Sequence, residues 1–545
     1  MSMKGRTAIA KILKMEGIEF VSGFPQNDIF EAGAEEGIRT IIARTERVGV
    51  NIADAYTRVS NCQRIGVCLT QSGPGIENAF SGIAQAYSES VPILVMPGAL
   101  ERRQFRPPGF SASKNYQGIT KWADTINFAD RVPEMMRRAF TYLRTGRPGP
   151  VLLEVPVDIL NEEFDDAKFQ YTPVKAVKSA GDPADIRVVA KALIAAKNPI
   201  IRSGQGVIHA DASDELRELA ELLQIPVFTT LSGKGGFPES HPLALGAGGN
   251  TRPRSVVHFL EKADLVFAIG SSCTKEIFTT PIPEGKRIIQ STVDERDINK
   301  DYALEHAVIG DAKLVLRQLI DEVKAQLGPE FKKKSSDVVK EIKAVKEEWL
   351  KEWLPKLTSN EIPINPYRVV WDMMKTLDSR EIIMTHDSGS PRNQLLPFWE
   401  SPVGGYIGWG KSTPLGASLG FAMGAKLARP EKTAVAFMGN AAFGMVGMDF
   451  ETAVRENIPI LVVLVNNSVL GGYIRENPVA TRKYHLTSQS GEYSKIAAAL
   501  GGYSEKVVHP DEFIPALRRA MQAVDSGQAA LLEIITCEDN TRSVK

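Results

Sequence analysis

The amino-acid sequence predicts an α/β protein made of three doubly wound domains with mostly parallel sheets. The first observation is length, because 545 residues correspond to about three or four domains. The second is an alternation of short β-branched runs with longer amphipathic stretches, which is typical of buried parallel strands separated by helices. The third is that these runs fall into three groups. The predicted strands are residues 65–69, 93–96, 151–155, 265–269, 382–385, 433–438, 460–465 and 530–535.

Changes in composition along the chain suggest where each domain ends. We expect a first domain at residues 1–170, a central domain at 184–327 and a third domain at 361–545. Residues 328–360 are rich in lysine and glutamate, which predicts an exposed helical linker. Apolar residues make up 43% of the chain and charged residues 24%, as in ordinary globular proteins. A chain of this length can bury a large core without disulfides.

The charge balance and the cysteines narrow the classes of partner and compartment. The chain has 65 basic residues (lysine and arginine) and 65 acidic residues (aspartate and glutamate). It therefore has no basic excess that would favour nucleic acid or an anionic membrane as a binding partner. No apolar run approaches the ~20 residues that span a bilayer. The first 16 residues lack the apolar region of a signal peptide. Four scattered cysteines without a close pair suit a reducing compartment. We therefore expect a cytoplasmic protein with a small-molecule substrate.

Two asparagines follow consecutive predicted strands of the third domain. Asn440 follows strand 433–438, and Asn467 follows strand 460–465, 27 positions later. Open α/β sheets bind ligands beyond the carboxyl ends of their strands. The small residues Gly439, Ala441 and Ala442 would let the backbone approach a diphosphate, and the two amide oxygens could hold Mg²⁺. Taken alone, Gly-Asn-Ala would be an ordinary turn between a strand and a helix.

At this spacing the two asparagines resemble the cofactor motif of the thiamine-diphosphate superfamily that includes acetolactate synthase, pyruvate oxidase and 2-oxo acid decarboxylases. That motif is Gly-Asp-Gly, followed further along by Asn-Asn. The resemblance covers nearly the whole chain and implies pyrimidine-binding, central and diphosphate-binding domains, in that order. Other segments that match the family are Gly23-Phe24-Pro25, residues 70–75 with Asn78, residues 144–150 and residues 233–243.

The family has one catalytic glutamate in its first domain, and Glu46, in Arg44-Thr45-Glu46-Arg47, matches it. The resemblance implies a buried carboxyl group that hydrogen-bonds ring nitrogen N1′ of the cofactor's aminopyrimidine. The bound cofactor supplies a carbon nucleophile that attacks a carbonyl group and then serves as an electron sink. From the residues alone, the alternative is a surface carboxylate paired with Arg47.

The resemblance also assigns residues along the rest of the cofactor. Leu415, 25 positions before Asn440, would lie under the bend of the cofactor, and the carbonyl of Thr413 would accept a hydrogen bond from N4′. A plain core leucine is the alternative for Leu415. The predicted cofactor-binding residues are Pro25, Glu46, Ser72, Gly73, Asn78, Gly389, Ser390, Thr413, Leu415, Gly439, Asn440, Ala441, Ala442 and Asn467.

The metal and substrate contacts follow from the same resemblance. The predicted Mg²⁺ ligands are Asn440, Asn467 and the backbone carbonyl of Val469. Gln26, Asn27 and Leu470 are candidates for substrate contact. For Gln26 and Asn27 the alternative is an ordinary turn in which Asn27 caps the following helix.

The sequence departs from the family at two places that bear on which cofactors it is expected to bind. Asn440 stands where the family has an aspartate, and the loss of that charge weakens the Coulomb attraction to Mg²⁺. The segment Gly270-Ser271-Ser272-Cys273 after strand 265–269 does not match the flavin-binding segment of acetolactate synthases. We therefore expect thiamine diphosphate and Mg²⁺, but no FAD.

The resemblance predicts an enzyme that breaks or makes a carbon–carbon bond next to a carbonyl group. The leading interpretation is a 2-oxo acid decarboxylase or carboligase, a lyase or transferase resembling acetolactate synthase. One alternative is a CoA-thioester lyase or decarboxylase of the oxalyl-CoA decarboxylase and 2-hydroxyacyl-CoA lyase type. Another is a non-catalytic relative that has lost the cofactor. Family sites join the first domain of one chain to the third domain of another, so we expect a homodimer or homotetramer.

Overall fold

A computed structural model of the chain describes residues 2–104, 109–328 and 337–543. Three α/β domains are present, each built on a six-stranded sheet in which all neighbouring strands are parallel. Each of the eight predicted runs forms a strand. The predicted fold class is therefore confirmed. Within the predicted linker 328–360, residues 329–336 lie outside the described residues, and residues 338–357 form a helix.

The first domain has the strand order β3-β2-β4-β5-β7-β6, with β1 and β8 paired antiparallel outside the main sheet. Its strands are β1 Ser2–Lys4, β2 Phe20–Gly23, β3 Arg39–Ile42, β4 Gly66–Thr70, β5 Ile93–Ala99, β6 Trp122–Thr125, β7 Val151–Pro156 and β8 Glu163–Asp165. Its α-helices are α1 Gly5–Met15, α2 Ile29–Glu35, α3 Glu46–Val59, α4 Pro74–Ser88, α5 Ala112–Asn115, α6 Val132–Arg144 and α7 Val157–Asn161, and its 3₁₀ helices are Gln117–Ile119, Ala129–Arg131 and Asp166–Lys168.

The central domain has the strand order β11-β10-β9-β12-β13-β14. Its strands are β9 Pro199–Ser203, β10 Val227–Thr230, β11 Ala244–Gly248, β12 Leu265–Ile269, β13 Arg287–Thr292 and β14 His306–Ile309. Its helices are α8 Pro183–Ala195, α9 Gln205–His209, α10 Ser213–Leu223, α11 Arg254–Lys262 and α12 Ala312–Leu327, with a 3₁₀ helix at Glu295–Asp297.

The third domain has the strand order β16-β15-β17-β18-β20-β19 and follows the linker helix α13 Val338–Leu357. Its strands are β15 Ile382–His386, β16 Tyr406–Ile407, β17 Thr433–Gly439, β18 Ile460–Asn466, β19 Tyr503–Val507 and β20 Ala530–Ile535. Its helices are α14 Pro366–Thr376, α15 Ser390–Leu395, α16 Ala417–Ala428, α17 Asn440–Val446, α18 Phe450–Arg455, α19 Pro478–Tyr484, α20 Tyr493–Ala499 and α21 Pro510–Asp525, with 3₁₀ helices at Ser379–Glu381 and Gly447–Asp449.

Helices α3 and α16 hold the first and third domains together within the chain. Two glycines on α16 permit their close approach. A Cβ atom on Gly420 would lie 2.6 Å from Cβ of Asn51, and one on Gly424 would lie 2.2 Å from the carbonyl oxygen of Ile52. Larger side chains at these two positions would separate the helices. The packing therefore sets the start of α3, where Glu46 lies, against the start of α16.

Each sheet has a switch point, where successive connections leave in opposite directions and ligands commonly bind. In the order of the domains, these points lie between β2 and β4, between β9 and β12, and between β15 and β17. Within residues 2–104, 109–328 and 337–543, we find no helix whose length and apolar character would let it cross a membrane.

Candidate functional site

The third domain brings its predicted cofactor residues to one edge of the sheet. Strands β15, β17 and β18 are neighbours, with His386 paired to Phe437 and Gly439 paired to Val465. Asp387, Asn440 and Asn467 follow directly after these three strands. The residues that sequence analysis placed at strand ends are thus adjacent in space, as parallel strands require.

Asn440 is the first residue of α17 and is only 2% exposed. Its side-chain nitrogen Nδ2 is buried and makes no hydrogen bond within 3.5 Å to the residues that the structure describes, although the hydroxyl of Tyr493 lies close enough to interact with Asn440. A buried, unpaired amide group costs free energy unless a ligand or water satisfies it. Because an amide can be flipped, this position can offer either an oxygen to a cation or an N–H to an anion.

Asn467 begins the turn that follows β18. Its Oδ1 accepts a hydrogen bond from the N–H of Val469 at 3.2 Å, and Ser468 between them has φ 57°, in the left-handed region. The N–H of Leu470 then donates to the carbonyl oxygen of Thr487 at 2.7 Å. The turn therefore holds Val469 close to Asn467, as the predicted pair of metal ligands requires.

Residues 410–416, which we call the bend segment, contain both Thr413 and Leu415. Both side chains are half-buried, and Leu415 packs against the core shared by α3 and α16. The segment ends at Gly416, whose φ of 93° suits glycine and whose added Cβ would lie 2.8 Å from Val446.

Asp387 anchors the end of the bend segment. Its fully buried carboxylate accepts hydrogen bonds from the N–H of Gly416 at 3.0 Å and from the hydroxyl of Ser418 at 2.7 Å. Burial raises the pKa of Asp387, and these hydrogen bonds oppose the rise. Asp387, two residues before the predicted cofactor-binding residue Gly389, thus fixes the end of the segment predicted to support the cofactor's bend.

Glu46 is the first residue of α3 and is 6% exposed. Its Oε2 accepts a hydrogen bond from Nδ2 of Asn78 at 3.3 Å. Gly75 makes room for the carboxylate, because a Cβ atom there would lie 3.3 Å from Oε1. Among the described residues, no ion pair joins Glu46 to Arg47. The structure therefore agrees with a buried carboxyl group and not with a surface ion pair.

Asp449 ties the turn before Glu46 to the third domain. It accepts hydrogen bonds from the N–H of Arg44 at 2.7 Å and from the hydroxyl of Thr45 at 2.9 Å. Burial raises the pKa of Asp449, and burial lowers the pKa of Arg47, whose guanidinium faces Asp387 and Asp449. The position of Glu46 thus depends on a carboxylate from another domain.

The turn after β2 separates the two predicted substrate contacts. Gln26 is exposed and has φ 76°, which is uncommon for a residue with a side chain. Asn27 is buried, and its Nδ2 donates to the carbonyl oxygens of Thr70 and Met96 at 3.2 and 3.0 Å. Both amide hydrogens of Asn27 are therefore used inside the first domain. We correct the prediction for Asn27 to a structural role, while Gln26 and its neighbour Pro25 are both exposed.

The two predicted glycine turns have open space beside them. An added Cβ atom on Gly73 or Gly389 would meet no atom of the described residues within 4 Å, and both residues have positive φ. Gly73 precedes α4 and Gly389 precedes α15, so each turn presents a helix N-terminus next to Ser72 or Ser390. The turn at Gly389 suits an approaching phosphate group. The turn at Gly73 opens α4, whose Asn78 donates to Glu46, and so lies on the pyrimidine side of the predicted site.

The C-terminal tail reaches the site, and sequence analysis missed this contact. The hydroxyl of Ser390 donates to Oδ1 of Asn540 at 3.1 Å, and the N–H of Gly472 donates to Oε1 of Glu538 at 3.1 Å. Asn540 in turn donates to Glu538 at 2.7 Å. Nothing in the local pattern of the last eight residues indicated this contact, because it depends on where β20 ends in the sheet.

Comparison with known families agrees with this geometry in every domain. Three family descriptions match in order: "Thiamine pyrophosphate enzyme, N-terminal TPP binding domain" at residues 3–122, "central domain" at 186–319, and "C-terminal TPP binding domain" at 387–534. The probable acetolactate synthase large subunit of Methanocaldococcus jannaschii is 31% identical over 98% of this chain and 92% of that protein. The chain belongs to the thiamine pyrophosphate enzyme family.

Two further relatives show the range of the match. The acetolactate synthase isozyme 3 large subunit of Escherichia coli K12 is 27% identical over 98% of this chain and 94% of its own length. The glyoxylate carboligase of Escherichia coli O157:H7 is 29% identical over 95% of this chain and 90% of its own length. The recognised family and the predicted enzyme class, a thiamine-diphosphate-dependent decarboxylase or carboligase, are confirmed.

The three oxygen ligands that the sequence predicts for Mg²⁺ are all neutral. They are the amide oxygens of Asn440 and Asn467 and the carbonyl oxygen of Val469. In the described parts of the chain, no group of three or more His, Cys, Asp or Glu residues is arranged to hold a metal ion. A cation at this edge would therefore depend on the anionic oxygens of the bound diphosphate.

A cavity of about 510 Å³ lies at the switch point of the central domain, and first-domain residues such as Arg144 and Arg147 also line it. Gly204 and Gly270 line it, and the N–H of Gly204 donates to the carbonyl oxygen of Ile269 at 2.9 Å. The volume falls within the range of about 300–1,000 Å³ that is usual for small-molecule sites. Ser232, Gly410 and Lys411 also line the cavity, so the start of the bend segment forms part of its wall.

Proposed function

We propose that this enzyme joins two 2-oxo acids with loss of CO₂. In the first half of the reaction, the bond between the carboxyl and carbonyl carbons of one substrate breaks and CO₂ leaves. In the second half, the electron pair left behind forms a bond to the carbonyl carbon of the second substrate, whose oxygen takes a proton. The observation that carries the proposal is Glu46, a buried carboxylate at the start of α3, where the family has its catalytic glutamate.

Each residue of the proposed site has a distinct task. The bound cofactor supplies the nucleophilic carbon and the electron sink. Glu46 would accept or donate a hydrogen bond at N1′ of the aminopyrimidine ring, the carbonyl of Thr413 would accept one from N4′, and Leu415 would support the bend. Asn440, Asn467 and the carbonyl of Val469 would hold Mg²⁺. Gly389, Ser390, Gly439, Ala441 and Ala442 are the contacts proposed for the diphosphate. Pro25, Ser72, Gly73 and Asn78 are the further cofactor contacts proposed in the first domain, and Gln26 and Leu470 are those proposed for the substrate.

The relatives favour carboligation over the alternatives. Their names describe acetolactate synthases and a glyoxylate carboligase, and none of the three reported above refers to a CoA thioester. We also propose that catalysis needs no FAD, because Gly270-Ser271-Ser272-Cys273 differs from the flavin segment. The proposed location is the cytoplasm, in keeping with four free thiols.

Incubation of the purified enzyme with thiamine diphosphate, Mg²⁺ and pyruvate is expected to release CO₂ and form acetolactate, detected by mass spectrometry. Glyoxylate should be tested in parallel, since the glyoxylate carboligase is also similar. Added FAD should leave the rate unchanged. Turnover of acyl-CoA esters with no reaction of any 2-oxo acid would contradict the proposal, as would the same product rate without thiamine diphosphate.

We propose further that the site is completed between two copies of the chain, in a homodimer or homotetramer. Helix α4, which carries Asn78, exposes the large apolar side chains Phe80 and Tyr87. Met445 in α17 and Met448 just beyond it are also more than half exposed, a few residues after Asn440. Apolar side chains exposed beside both halves of the site suit burial against a partner chain.

Co-expression of two inactive variants tests whether the site is shared. Chains carrying Glu46→Gln and chains carrying Asn467→Ala receive different affinity tags, and mixed dimers are isolated on both tags. In a shared arrangement one of the two sites in each mixed dimer is intact, so about half of the wild-type turnover number should return. Each variant purified alone is the control. Mixed dimers as inactive as the single variants would show that each chain completes its own site.

A further inference from the structure

Glu89 lies at the junction of the three domains. It is the residue just after α4 in the first domain, and its side chain is fully buried. Oε1 accepts hydrogen bonds from the N–H groups of Gly410 and Lys411, each at 2.7 Å. Oε2 accepts one from the hydroxyl of Ser232 in the central domain, also at 2.7 Å. One carboxylate thus joins the first domain to the other two.

The two N–H groups that donate to Glu89 belong to the first two residues of the bend segment. At the other end of the segment, the carboxylate of Asp387 accepts a hydrogen bond from the N–H of Gly416. The segment is therefore held at both ends by buried carboxylates, one from the first domain and one from the third. Between these anchors lie Thr413 and Leu415, which the proposed function places against N4′ and under the bend of the cofactor.

The charge of Glu89 adds to the strength of this anchor. Hydrogen bonds from N–H groups to an ionised carboxylate are roughly twice as strong as those to a neutral oxygen. Burial lowers the pKa of Lys411, and the nearby Glu89 carboxylate is the largest influence that opposes this change. Both the backbone and the side chain of Lys411 thus interact favourably with the same carboxylate.

We propose that Glu89 is a positioning residue, which holds the bend segment so that the carbonyl of Thr413 and the side chain of Leu415 are in place before the cofactor binds. The proposal rests on the proposed function for the roles of Thr413 and Leu415. It assigns Glu89 no contact with cofactor or substrate. Its effect on the reaction passes through the backbone of residues 410–416, because a small displacement of a reacting geometry is costly.

Hydrogen–deuterium exchange of the cofactor-free protein tests the anchor directly. In Glu89→Ala, the amides of Gly410 and Lys411 should exchange at least about tenfold faster, which corresponds to a loss of about 1.4 kcal/mol of local protection. Peptides from β17 and β18 should keep their wild-type exchange. In Glu89→Gln the amide oxygen still accepts from both N–H groups, so its exchange rates should lie between those of Ala and wild type.

Steady-state kinetics and calorimetry then separate positioning from binding. With the 2-oxo acid substrate, kcat of Glu89→Ala should fall at least about tenfold, with partial rescue in Glu89→Gln. KM for the 2-oxo acid should change by less than about threefold, since Glu89 does not touch the substrate. The dissociation constant of thiamine diphosphate should rise by about three- to tenfold in Glu89→Ala, because cofactor binding must then order the bend segment. If the Ala variant does not fold, Glu89→Gln tests the proposal instead. Its amides at Gly410 and Lys411 should exchange faster than in the wild type, and its kcat should be lower.

Glu154→Gln is the matched control. Glu154 is another buried carboxylate of the first domain. It accepts hydrogen bonds from the N–H groups of Ala112 and Ser113 at 2.9 and 3.2 Å. Its substitution should speed exchange at residues 112–113 and leave 410–411 protected. Wild-type protection at 410–411 in Glu89→Ala, or faster exchange with unchanged kcat, would overturn the proposal. Absence of thiamine diphosphate binding by the wild type would instead contradict the proposed function, and the exchange result would still stand.

Discussion

Substitution of Glu46 by glutamine is expected to lower kcat for the 2-oxo acid reaction by about 100- to 10,000-fold, the usual contribution of a positioned acid–base group. Glutamine has nearly the same size and keeps an oxygen for the hydrogen bond from Asn78. It cannot exchange a proton with N1′ as a carboxyl group can. Because the fold around Gly75 is undisturbed, the dissociation constant of thiamine diphosphate should change by less than about tenfold.

Glu134→Gln is the matched control for this substitution. Glu134 also lies in the first turn of a helix in the first domain, but it is exposed and pairs with Arg131 at 2.8 Å. Its loss should alter kcat by no more than about twofold, as for most surface substitutions. The assignment of Glu46 would be refuted by near-wild-type turnover in Glu46→Gln, measured with the cofactor saturating.

The second large effect is expected at the proposed metal site. Asn440→Asp should tighten Mg²⁺ binding at saturating thiamine diphosphate by at least about tenfold, because a carboxylate adds Coulomb attraction that the neutral amide lacks. Without Mg²⁺ the same variant should unfold at a lower temperature than wild type, since a buried carboxylate without a partner is costly. Calorimetric titration with Mg²⁺ and thermal unfolding with and without the metal measure the two effects.

Asn457→Asp separates this site effect from a simple change of net charge. Asn457 is exposed, has φ 53°, and lies before β18, at the edge of the sheet opposite Asn440. Aspartate tolerates that backbone conformation about as well as asparagine. Its Mg²⁺ affinity should therefore equal that of the wild type. Equal Mg²⁺ affinity in Asn440→Asp and wild type would show that Asn440 is not a metal ligand.

The strands and the third-domain edge of the site could be predicted because they depend on local patterns. A buried parallel strand needs a short β-branched run, and residues just past such runs must gather at one edge of the sheet. Asn440 and Asn467 came together for that reason, with Val469 held beside Asn467 by the turn. The resemblance to the family added Glu46, which no local pattern marks as buried.

Long-range contacts account for what sequence analysis missed or misplaced. Asn27 looked like a substrate contact until the structure showed its amide bonded to Thr70 and Met96, on two other strands. Asn540 reaches Ser390 only because β20 lies beside β18 and directs the tail towards the site. Neither contact has a signal within a few residues of the chain.

By itself, the sequence determined the fold class, the family and the identity of the residues at the ends of β15, β17 and β18. The tertiary structure alone decided which carboxylates support the bend segment and the turn before Glu46. Glu89, Asp387 and Asp449 hold backbone N–H groups of distant segments, and two of the three act across domain boundaries. Hydrogen-bond partners hundreds of residues apart depend on how whole domains pack, and neither residue type nor spacing records that packing.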